Sequence, residues 1–305
     1  MAPIVVSTIR RICLLGLGEV GSRLAGDLTV PGGPGLTAWD RLFPEPDSKP
    51  VLALGRHPRL VPAENAAAAA SGCELVISAV TAAQDLEAAR SVLPGLASGA
   101  WFLDVNSVSP ATRRAVAESV DTAGGKYVEA AILSPIEPLG IASPMLLGGP
   151  HAEEFLRHAG RLGFSGADFC SERIGQAAAT KLCRSVVVKG MEALLTEALL
   201  AARHYGVEQQ VVASLDNLFP LPDWPRTAHY MISRSLQHGA RRAEEMSEAS
   251  LMVREAGTEP LMSEACVQRQ QWAARFSRAL RHQDLASMLD AIRSASADSH
   301  RGTTA

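Results

Sequence analysis

Hydrophobic and polar positions follow two patterns along the chain, and the change comes after about residue 170. Before it, short apolar runs alternate with segments of helical spacing and with turns rich in glycine and proline. The runs predict strands at 11–15, 36–40, 74–80, 101–106, 126–133 and 144–149, with a further strand within 51–61. The segments between them predict helices at 19–30, 63–71, 83–93 and 110–120. This alternation is typical of a doubly wound, mostly parallel α/β sheet.

The second half of the chain carries helical spacing only. Residues 175–206 contain no proline and distribute leucine, valine, methionine and alanine as a helix of about thirty residues would. Further helices are predicted at 208–219, 226–256 and 260–281. We therefore expect three parts, which are an α/β domain at 1–172, an all-helical domain at 173–292 and a disordered polar tail at 293–305.

Composition narrows the class of protein. The chain has 305 residues, 47% of them hydrophobic and 20% charged, with a net charge of −3, so neither nucleic acid nor a membrane is expected as a partner. Its five cysteines are widely spread and form no C-x-x-C pair, so we expect no metal site and no disulfide framework. Arg10 and Arg11 follow the first apolar stretch, and the next apolar run is broken by glycines rather than by a cleavage site, so no signal peptide is expected. Together with the unpaired pattern of cysteines, this predicts a reduced, cytoplasmic protein.

Three glycines form a G-x-G-x-x-G motif between the first strand and the first helix. Gly16 permits the tight turn, Gly18 lets a pyrophosphate approach the backbone, and Gly21 allows close packing of helix and strand. Asp40 lies 19 residues beyond Gly21, at the end of the next strand, where a carboxylate can bind a ribose. The motif predicts a Rossmann domain that binds NAD or NADP through Gly16, Leu17, Gly18, Glu19, Val20, Gly21, Asp40 and Arg41.

The choice between the two cofactors depends on the residues after the second strand. The charge of Asp40 would repel a 2′-phosphate, which slightly favours NAD. Arg41, the next residue, could instead pair with that phosphate, so both cofactors remain open.

Lys181 is a candidate for proton transfer. It lies one turn into the long predicted helix, after the small residues 177–180, and Arg184 and Ser185 share its face of the helix. A lysine in a partly desolvated site can act as a general acid or base near neutral pH. From the residues alone, a solvated lysine on a helix surface is the favoured explanation of this position.

Four segments together resemble the β-hydroxyacid dehydrogenase superfamily, which includes 6-phosphogluconate and 3-hydroxyisobutyrate dehydrogenases. They are GLGEVGSRLA at 16–25, DVNSVSP at 104–110, VEAAILSP at 128–135 and GQAAATKLCRS at 175–185. The resemblance implies a Rossmann domain joined by a long helix to an all-helical domain. It also implies that Lys181 is the general acid/base, that Asn106 and Ser107 contact substrate or nicotinamide, and that Val80 and Thr81 lie against the cofactor.

The chain departs from that family at several positions. It has Leu133-Ser134-Pro135 where the family holds a substrate carboxylate with Ser-Gly-Gly, so Ser134 is the remaining candidate in this segment. Ser185 stands where the family usually has asparagine, and Arg242 lies near the position where the family has a second substrate-contacting lysine. A solvated basic helix face explains Arg242 as well. With these departures, the chain resembles a less characterised subgroup of the superfamily that has its own C-terminal domain.

The expected function is hydride transfer between NAD(P) and a hydroxyacid-like small molecule, with Lys181 moving the proton. Two alternatives are open. One is an imine or keto-group reductase, and the other is a dinucleotide-binding sensor without catalysis. The long helix at 175–206 and the apolar helical half predict a homodimer formed through the C-terminal domain.

Overall fold

A computed structural model of the chain describes residues 9–215, 220 and 223–301. The chain divides into two compact units, Met1–Lys181 and Leu182–Ala305. The sequence predicts the division at 172/173, and the observed one lies later because the first turn of the long helix packs with the α/β unit.

The first unit is built on a mixed sheet. Its described residues form eight strands in the spatial order β3-β2-β1-β4-β5-β6-β7-β8, with every neighbouring pair parallel except β6 and β7. The strands are β1 Arg11–Leu15, β2 Gly35–Trp39, β3 Leu60–Pro62, β4 Leu75–Ser78, β5 Trp101–Asp104, β6 Lys126–Ile132, β7 Met145–Gly148 and β8 Ala167–Ser171. The predicted doubly wound, mostly parallel sheet is confirmed.

Helices cover the sheet on both faces. They are α1 Glu19–Leu28, α2 Lys49–Arg56, α3 Ala66–Ala70, α4 Asp85–Val92, α5 Pro110–Thr122 and α6 Ala152–Leu162. Successive strand residues point to opposite faces, so Leu14 and Leu103 belong to one apolar core while Cys13 and Phe102 belong to the other. The long helix α7, Gln176–Tyr205, begins in this unit and ends in the second.

The strand register places polar residues side by side in the middle of the sheet. Ser78 on β4 lies opposite Asp104 on β5, and Asp104 lies opposite Glu129 on β6. All three side chains are fully buried. The order of the strands reverses between β1 and β4, which is where open α/β sheets bind ligands at the carboxyl ends of their strands.

The second unit is helical throughout its described residues. After the remainder of α7 come α8 Glu208–Leu215, α9 Trp224–Glu255, α10 Leu261–Ala273 and α11 Leu285–Arg301, with a 3-10 segment at Ala274–Arg281. Its main core includes Leu199, Ile232, Met288 and Ile292. None of the described helices in either unit is long and apolar enough to cross a membrane. The cytoplasmic location stays a prediction.

Several local predictions differ from the structure. The strand predicted within 51–61 is β3, which begins only at Leu60. The first part of that segment belongs to helix α2, because Pro50 lies in the first helical turn and Ala53 is buried at helical spacing. The predicted tail at 293–305 continues α11 as far as Arg301, since its alanine and serine residues extend a helix anchored by Ile292. Residues 302–305, and 216–219 of the predicted helix 208–219, lie outside the described residues.

Two elements of the first unit were absent from the sequence prediction. They are α6 and the edge strand β8, and most side chains of β8 are exposed or half-buried, including Phe169. An edge strand without a buried apolar run gives no periodic signal.

Candidate active site

The glycine turn links β1 to α1 and has the geometry that a bound pyrophosphate needs. Gly16 has a φ of +90°, and a Cβ there would lie 2.5 Å from the carbonyl oxygen of Ala79. A Cβ on Gly21 would overlap the carbonyl oxygen of Gly16. Both positions therefore require glycine, one for its backbone conformation and one for close packing of helix and strand.

Gly18 shows where the phosphates fit. Nothing lies within 4 Å of a Cβ placed on this residue, in contrast to its two neighbours in the motif. Gly18 precedes the first turn of α1, which has no side-chain cap. The N–H groups of such a turn and the positive end of the helix dipole bind phosphate. The residues present thus fit a dinucleotide.

Asp40 ties the end of β2 to the glycine turn. Its Oδ2 accepts the backbone N–H of Leu17 at 2.8 Å, and its Oδ1 accepts that of Leu42 at 2.9 Å. Each oxygen keeps a lone pair that can accept a ribose hydroxyl. Of the other predicted cofactor residues, Leu17 is buried, Val20 and Val80 are half-buried, and Glu19, Arg41 and Thr81 are exposed.

Asn106 occupies the centre of a buried polar network at the carboxyl ends of β4 and β5. Its Oδ1 accepts the backbone N–H of Val80 at 2.6 Å. Its Nδ2 lies 2.7 Å from Asp85 Oδ1, 2.8 Å from Asp104 Oδ1 and 2.9 Å from Ser78 Oγ. The sequence predicts that Asn106 contacts substrate or nicotinamide, whereas this side chain is 3% exposed and directed into the protein.

Asp104 is the charged member that the network satisfies best. Its Oδ2 accepts hydrogen bonds from Arg113 at 2.7 Å and from the Tyr127 hydroxyl at 2.9 Å. Arg113 also donates to the carbonyl oxygens of Asp104 and Asn106. Burial raises the pKa of the Tyr127 hydroxyl well above its usual value, and the Asp104 charge adds to that rise, so Tyr127 acts as a donor.

Glu129 fixes the start of the helix that carries the candidate lysine. Its two carboxylate oxygens accept the backbone N–H groups of Gly175 and Ala177, each at 2.9 Å. Burial raises the pKa of Glu129, although the Arg113 charge and these two N–H groups oppose that shift. Because β6 is a central strand, this cap holds the first turn of α7 in place.

Lys181 lies one turn further along α7 and meets Ser107. The lysine Nζ donates a hydrogen bond to Ser107 Oγ at 2.6 Å, and Lys181 is half-buried. Ser107 directly follows Asn106 in the loop after β5. The structure therefore brings together two predicted site residues that are 74 positions apart in the sequence.

Of the remaining predicted substrate residues, Ser134 belongs to the same unit as this pair, and the other three belong to the second unit. Ser134 donates its hydroxyl to the carbonyl oxygen of Pro135 at 3.0 Å. Arg184, which is exposed, and Ser185, which is buried, belong to the second unit. Arg242 is also in that unit, and its guanidinium forms a largely buried ion pair with Glu192 rather than lying on a solvated basic face.

Sequence reasoning did not single out Asp85, Arg113, Tyr127 or Glu129. Glu129 carries the clearest signal, because it is a carboxylate inside an apolar strand pattern. A charge in such a position is expected to have a specific partner. Among the described residues, no group of three or more His, Cys, Asp and Glu side chains could hold a metal ion.

A doubly wound sheet, a glycine turn and a strand-end carboxylate define a dinucleotide-binding α/β domain. Residues 11–152 match the NAD binding domain of 6-phosphogluconate dehydrogenase, and residues 202–273 match a domain of unknown function (DUF1932). The chain thus combines an NAD-binding domain of the 6-phosphogluconate dehydrogenase type with a DUF1932 domain. The predicted family and the use of NAD(P) are confirmed.

Proteins of known structure resemble the chain over nearly its whole length. A conserved hypothetical protein from Sinorhizobium meliloti 1021 is 32% identical, with a TM-score of 0.73 over 94% of this chain and 96% of that one. A conserved protein of unknown function, whose structure is described as similar to 3-hydroxyacid dehydrogenases, is 29% identical, with a TM-score of 0.68 over 88% and 98%.

A curated relative is glyoxylate/succinic semialdehyde reductase 2, chloroplastic, of Arabidopsis thaliana. It is 24% identical over 209 residues, which cover 67% of this chain and 56% of that protein. The chain spans about half the length of the curated relatives it matches, 40% in one case and 56% in another.

Proposed function

We propose that the protein is an NAD(P)-dependent oxidoreductase that acts on the CH–OH group of a hydroxyacid-like substrate. The observation that carries this proposal is the hydrogen bond from Lys181 Nζ to Ser107 Oγ at 2.6 Å. Both residues belong to the unit that contains the NAD-binding domain. The similarity to a glyoxylate/succinic semialdehyde reductase supports the same class of carbonyl and hydroxyl chemistry.

The lysine amine supplies the acid–base step. When bound, the nicotinamide ring accepts or supplies the hydride. In the oxidative direction Lys181 Nζ takes the proton of the substrate hydroxyl, and in the reductive direction it returns a proton to the carbonyl oxygen. Ser107 Oγ accepts a hydrogen bond from Nζ and so orients the amine. The Glu129 cap on the first turn of α7 keeps Lys181 at that distance.

NAD is the preferred cofactor in this proposal. Asp40 presents two carboxylate oxygens beside the glycine turn, and they suit the ribose hydroxyls of NAD and oppose the 2′-phosphate of NADP. Arg41 is exposed next to it. Because Arg41 directly follows Asp40, it could pair with a 2′-phosphate, which favours NADP.

The loop between β6 and β7, residues 133–144, is held against α1. Arg23 of α1 pairs with Glu137 and donates to the carbonyl oxygen of Pro138 at 3.1 Å. Asp27, one turn later, accepts the backbone N–H of Ile141 at 2.8 Å. A loop with such anchors supports a preorganised substrate site, in which Ser134 is the candidate contact for the substrate.

We also propose a homodimer formed through α7. Val187, Leu194 and Tyr205 lie on one face of this helix and are 62%, 58% and 76% exposed. An apolar stripe of this length along a 30-residue helix is typical of a surface covered by a second copy. Sedimentation of the wild type should give twice the chain mass, and the double variant Val187→Glu/Leu194→Glu should give a monomer. A monomeric wild type at micromolar concentration would contradict the dimer.

The activity is tested with purified protein, NAD and NADP, and a panel of hydroxyacids and their keto forms. With a substrate in hand, Lys181→Met should lower kcat by about 10²- to 10⁴-fold, the typical contribution of a general acid/base. Its affinity for NADH should stay within about threefold of the wild type, since the glycine turn is untouched.

The matched control is Lys126→Met. Lys126 is the first residue of β6, at the amino end of the strand and so at the opposite end from the loop that carries Ser107, and it pairs with Glu154. This variant should turn over like the wild type. If Lys181→Met kept its kcat while it still bound NADH, the acid–base assignment would be wrong.

A further inference from the structure

The Asn106 carboxamide joins the loop that follows β4 to the loop that follows β5. Its Oδ1 accepts the Val80 N–H at 2.6 Å from the first loop, and its own backbone belongs to the second. On the other side its Nδ2 faces oxygens of Asp85, Asp104 and Ser78 at 2.7 to 2.9 Å. The two loops therefore meet through one side chain, and Ser107 is the next residue.

Only one orientation of this carboxamide satisfies its neighbours. A rotation by 180° would set Asn106 Oδ1 against carboxylate oxygens and Nδ2 against the Val80 N–H, leaving like groups in contact. Buried polar groups without hydrogen bonds destabilise the fold, so this rotated orientation is disfavoured. The acceptors around Nδ2 thus decide where Oδ1 points, and with it where Val80 is held.

The two carboxyl groups around Asn106 Nδ2 differ in the number of their hydrogen-bond partners. Asp104 is already engaged by Arg113, by Tyr127 and by the backbone N–H of Asn106 at 3.0 Å. Asp85 is fully buried on the first turn of α4, and its Oδ1 meets Asn106. Its Oδ2 has no hydrogen-bond partner among the described residues.

Asp85 is suited to this position as a neutral acid. Burial raises its pKa well above the usual value, and the Asp104 charge raises it further, while Arg113 and the bond from Asn106 oppose the shift less strongly. A neutral carboxyl group offers Asn106 a carbonyl acceptor without adding a second negative charge beside Asp104.

We propose that Asp85 is a positioning residue, which holds the Asn106 carboxamide and through it sets the spacing between Val80 and the loop that presents Ser107 to Lys181. Asp85 touches no reacting atom in this arrangement. The inference rests on the proposed function for its effect on turnover, but its effects on the Val80 loop and on cofactor binding do not depend on the identity of the substrate.

The test compares Asp85→Asn, Asp85→Ala and the control Asp121→Ala, which removes an exposed carboxylate from the end of α5. Asparagine keeps the carbonyl acceptor, so Asp85→Asn should bind NADH within about twofold of the wild type. Asp85→Ala loses the acceptor and should bind NADH at least tenfold more weakly. In a hydrogen-exchange experiment its Val80 amide should also exchange at least tenfold faster, while the β5 amides keep their protection.

Asp85→Ser is the second variant should Asp85→Ala not fold, because its hydroxyl fills part of the cavity but is one bond too short to replace the acceptor of Asn106 Nδ2. It should show the same losses in NADH binding and Val80 protection. The proposal is overturned if both readouts match the wild type in a folded Ala or Ser variant, or if Asp85→Asn is as impaired as they are. A failure of the proposed function would appear differently. Lys181→Met would then turn over substrate as fast as the wild type, while the Asp85 variants would still show the expected changes in NADH binding and Val80 exchange.

Discussion

The backbone N–H of Ala177 donates to Glu129 Oε1 at 2.9 Å, and so a carboxylate of the central sheet caps the helix that carries Lys181. The second oxygen of Glu129 accepts the N–H of Gly175 at the same distance. The helix that carries Lys181 is thus positioned by a strand residue rather than by its own sequence, and its capping residue lies 48 positions earlier in the chain.

Removal of this cap should lower the stability of the protein. Glu129→Ala leaves two N–H groups at a buried helix start without acceptors, which should lower the free energy of unfolding by about 2–4 kcal/mol. Glu129→Gln keeps one acceptor and should lose about half as much. Urea unfolding measures the stability. Glu118→Gln, at an exposed position of α5, is the control and should unfold like the wild type. Equal stability of Glu129→Ala and wild type would contradict the capping role.

Ser107 should matter for the rate rather than for cofactor affinity. Ser107→Ala removes the acceptor that orients Lys181 Nζ, and kcat should fall by about tenfold while NADH binding stays unchanged. Ser107→Thr retains the hydroxyl and should recover most of the rate. Ser119→Ala, whose hydroxyl bonds only to its own helix α5, is the matched control. A wild-type kcat in Ser107→Ala would show that proton transfer by Lys181 does not depend on the Ser107 hydroxyl.

The buried acid Asp85 should make stability depend on pH. Because burial and the Asp104 charge raise its pKa in the folded protein, the unfolded chain loses this proton first as the pH rises above about 3.8. Folding stability therefore falls with rising pH until the folded pKa is reached, by as much as about 1.4 kcal/mol per pH unit. Arg113 and Tyr127 face the same cluster, and because the pKa of each is raised, both keep their ionisation states over this range.

Asp85→Asn has no proton to lose at this position. Its stability relative to the wild type should rise as the pH increases from 5 to 7, and urea midpoints at three pH values measure the trend. A constant difference between the two proteins across this range would show that Asp85 is ionised in the fold.

Asp40 should govern the choice of cofactor. Asp40→Ala removes the ribose-binding carboxylate and the charge that repels a 2′-phosphate, so NADH affinity should fall by about tenfold and the preference for NADPH should rise. Fluorescence titration with both cofactors measures the ratio. Asp47→Ala, an exposed position before α2, should leave the ratio unchanged. An unaltered ratio in Asp40→Ala would place cofactor discrimination elsewhere.

The elements that could be predicted from the sequence depend on local spacing. The strand 11–15, the three glycines and Asp40 lie within one short stretch, and their order alone defines the turn and its ligand. The strand predicted within 51–61 could not be placed, because a single apolar run suits either a strand or a helix. Pro50 in the first helical turn makes the start of this segment part of α2, and β3 begins only at Leu60.

The supporting contacts of the site could not be predicted in this way. Asn106 carries a motif position that suggested contact with a ligand, yet its partners come from β4, α4 and β5 and only the sheet register brings them together. Arg242 shows the same limit, since the pairing with Glu192 depends on how two long helices pack. Residue type indicates that a buried charge needs a partner, and the three-dimensional packing selects which one.

The division of the chain inside α7, between Lys181 and Leu182, has an evolutionary consequence. The amine and the hydroxyl that orients it are inherited together with the nucleotide-binding half. The C-terminal half can therefore diverge, or be exchanged by recombination, without separating the two groups. Changes after Leu182 are therefore expected to leave the pairing of Lys181 with Ser107 intact.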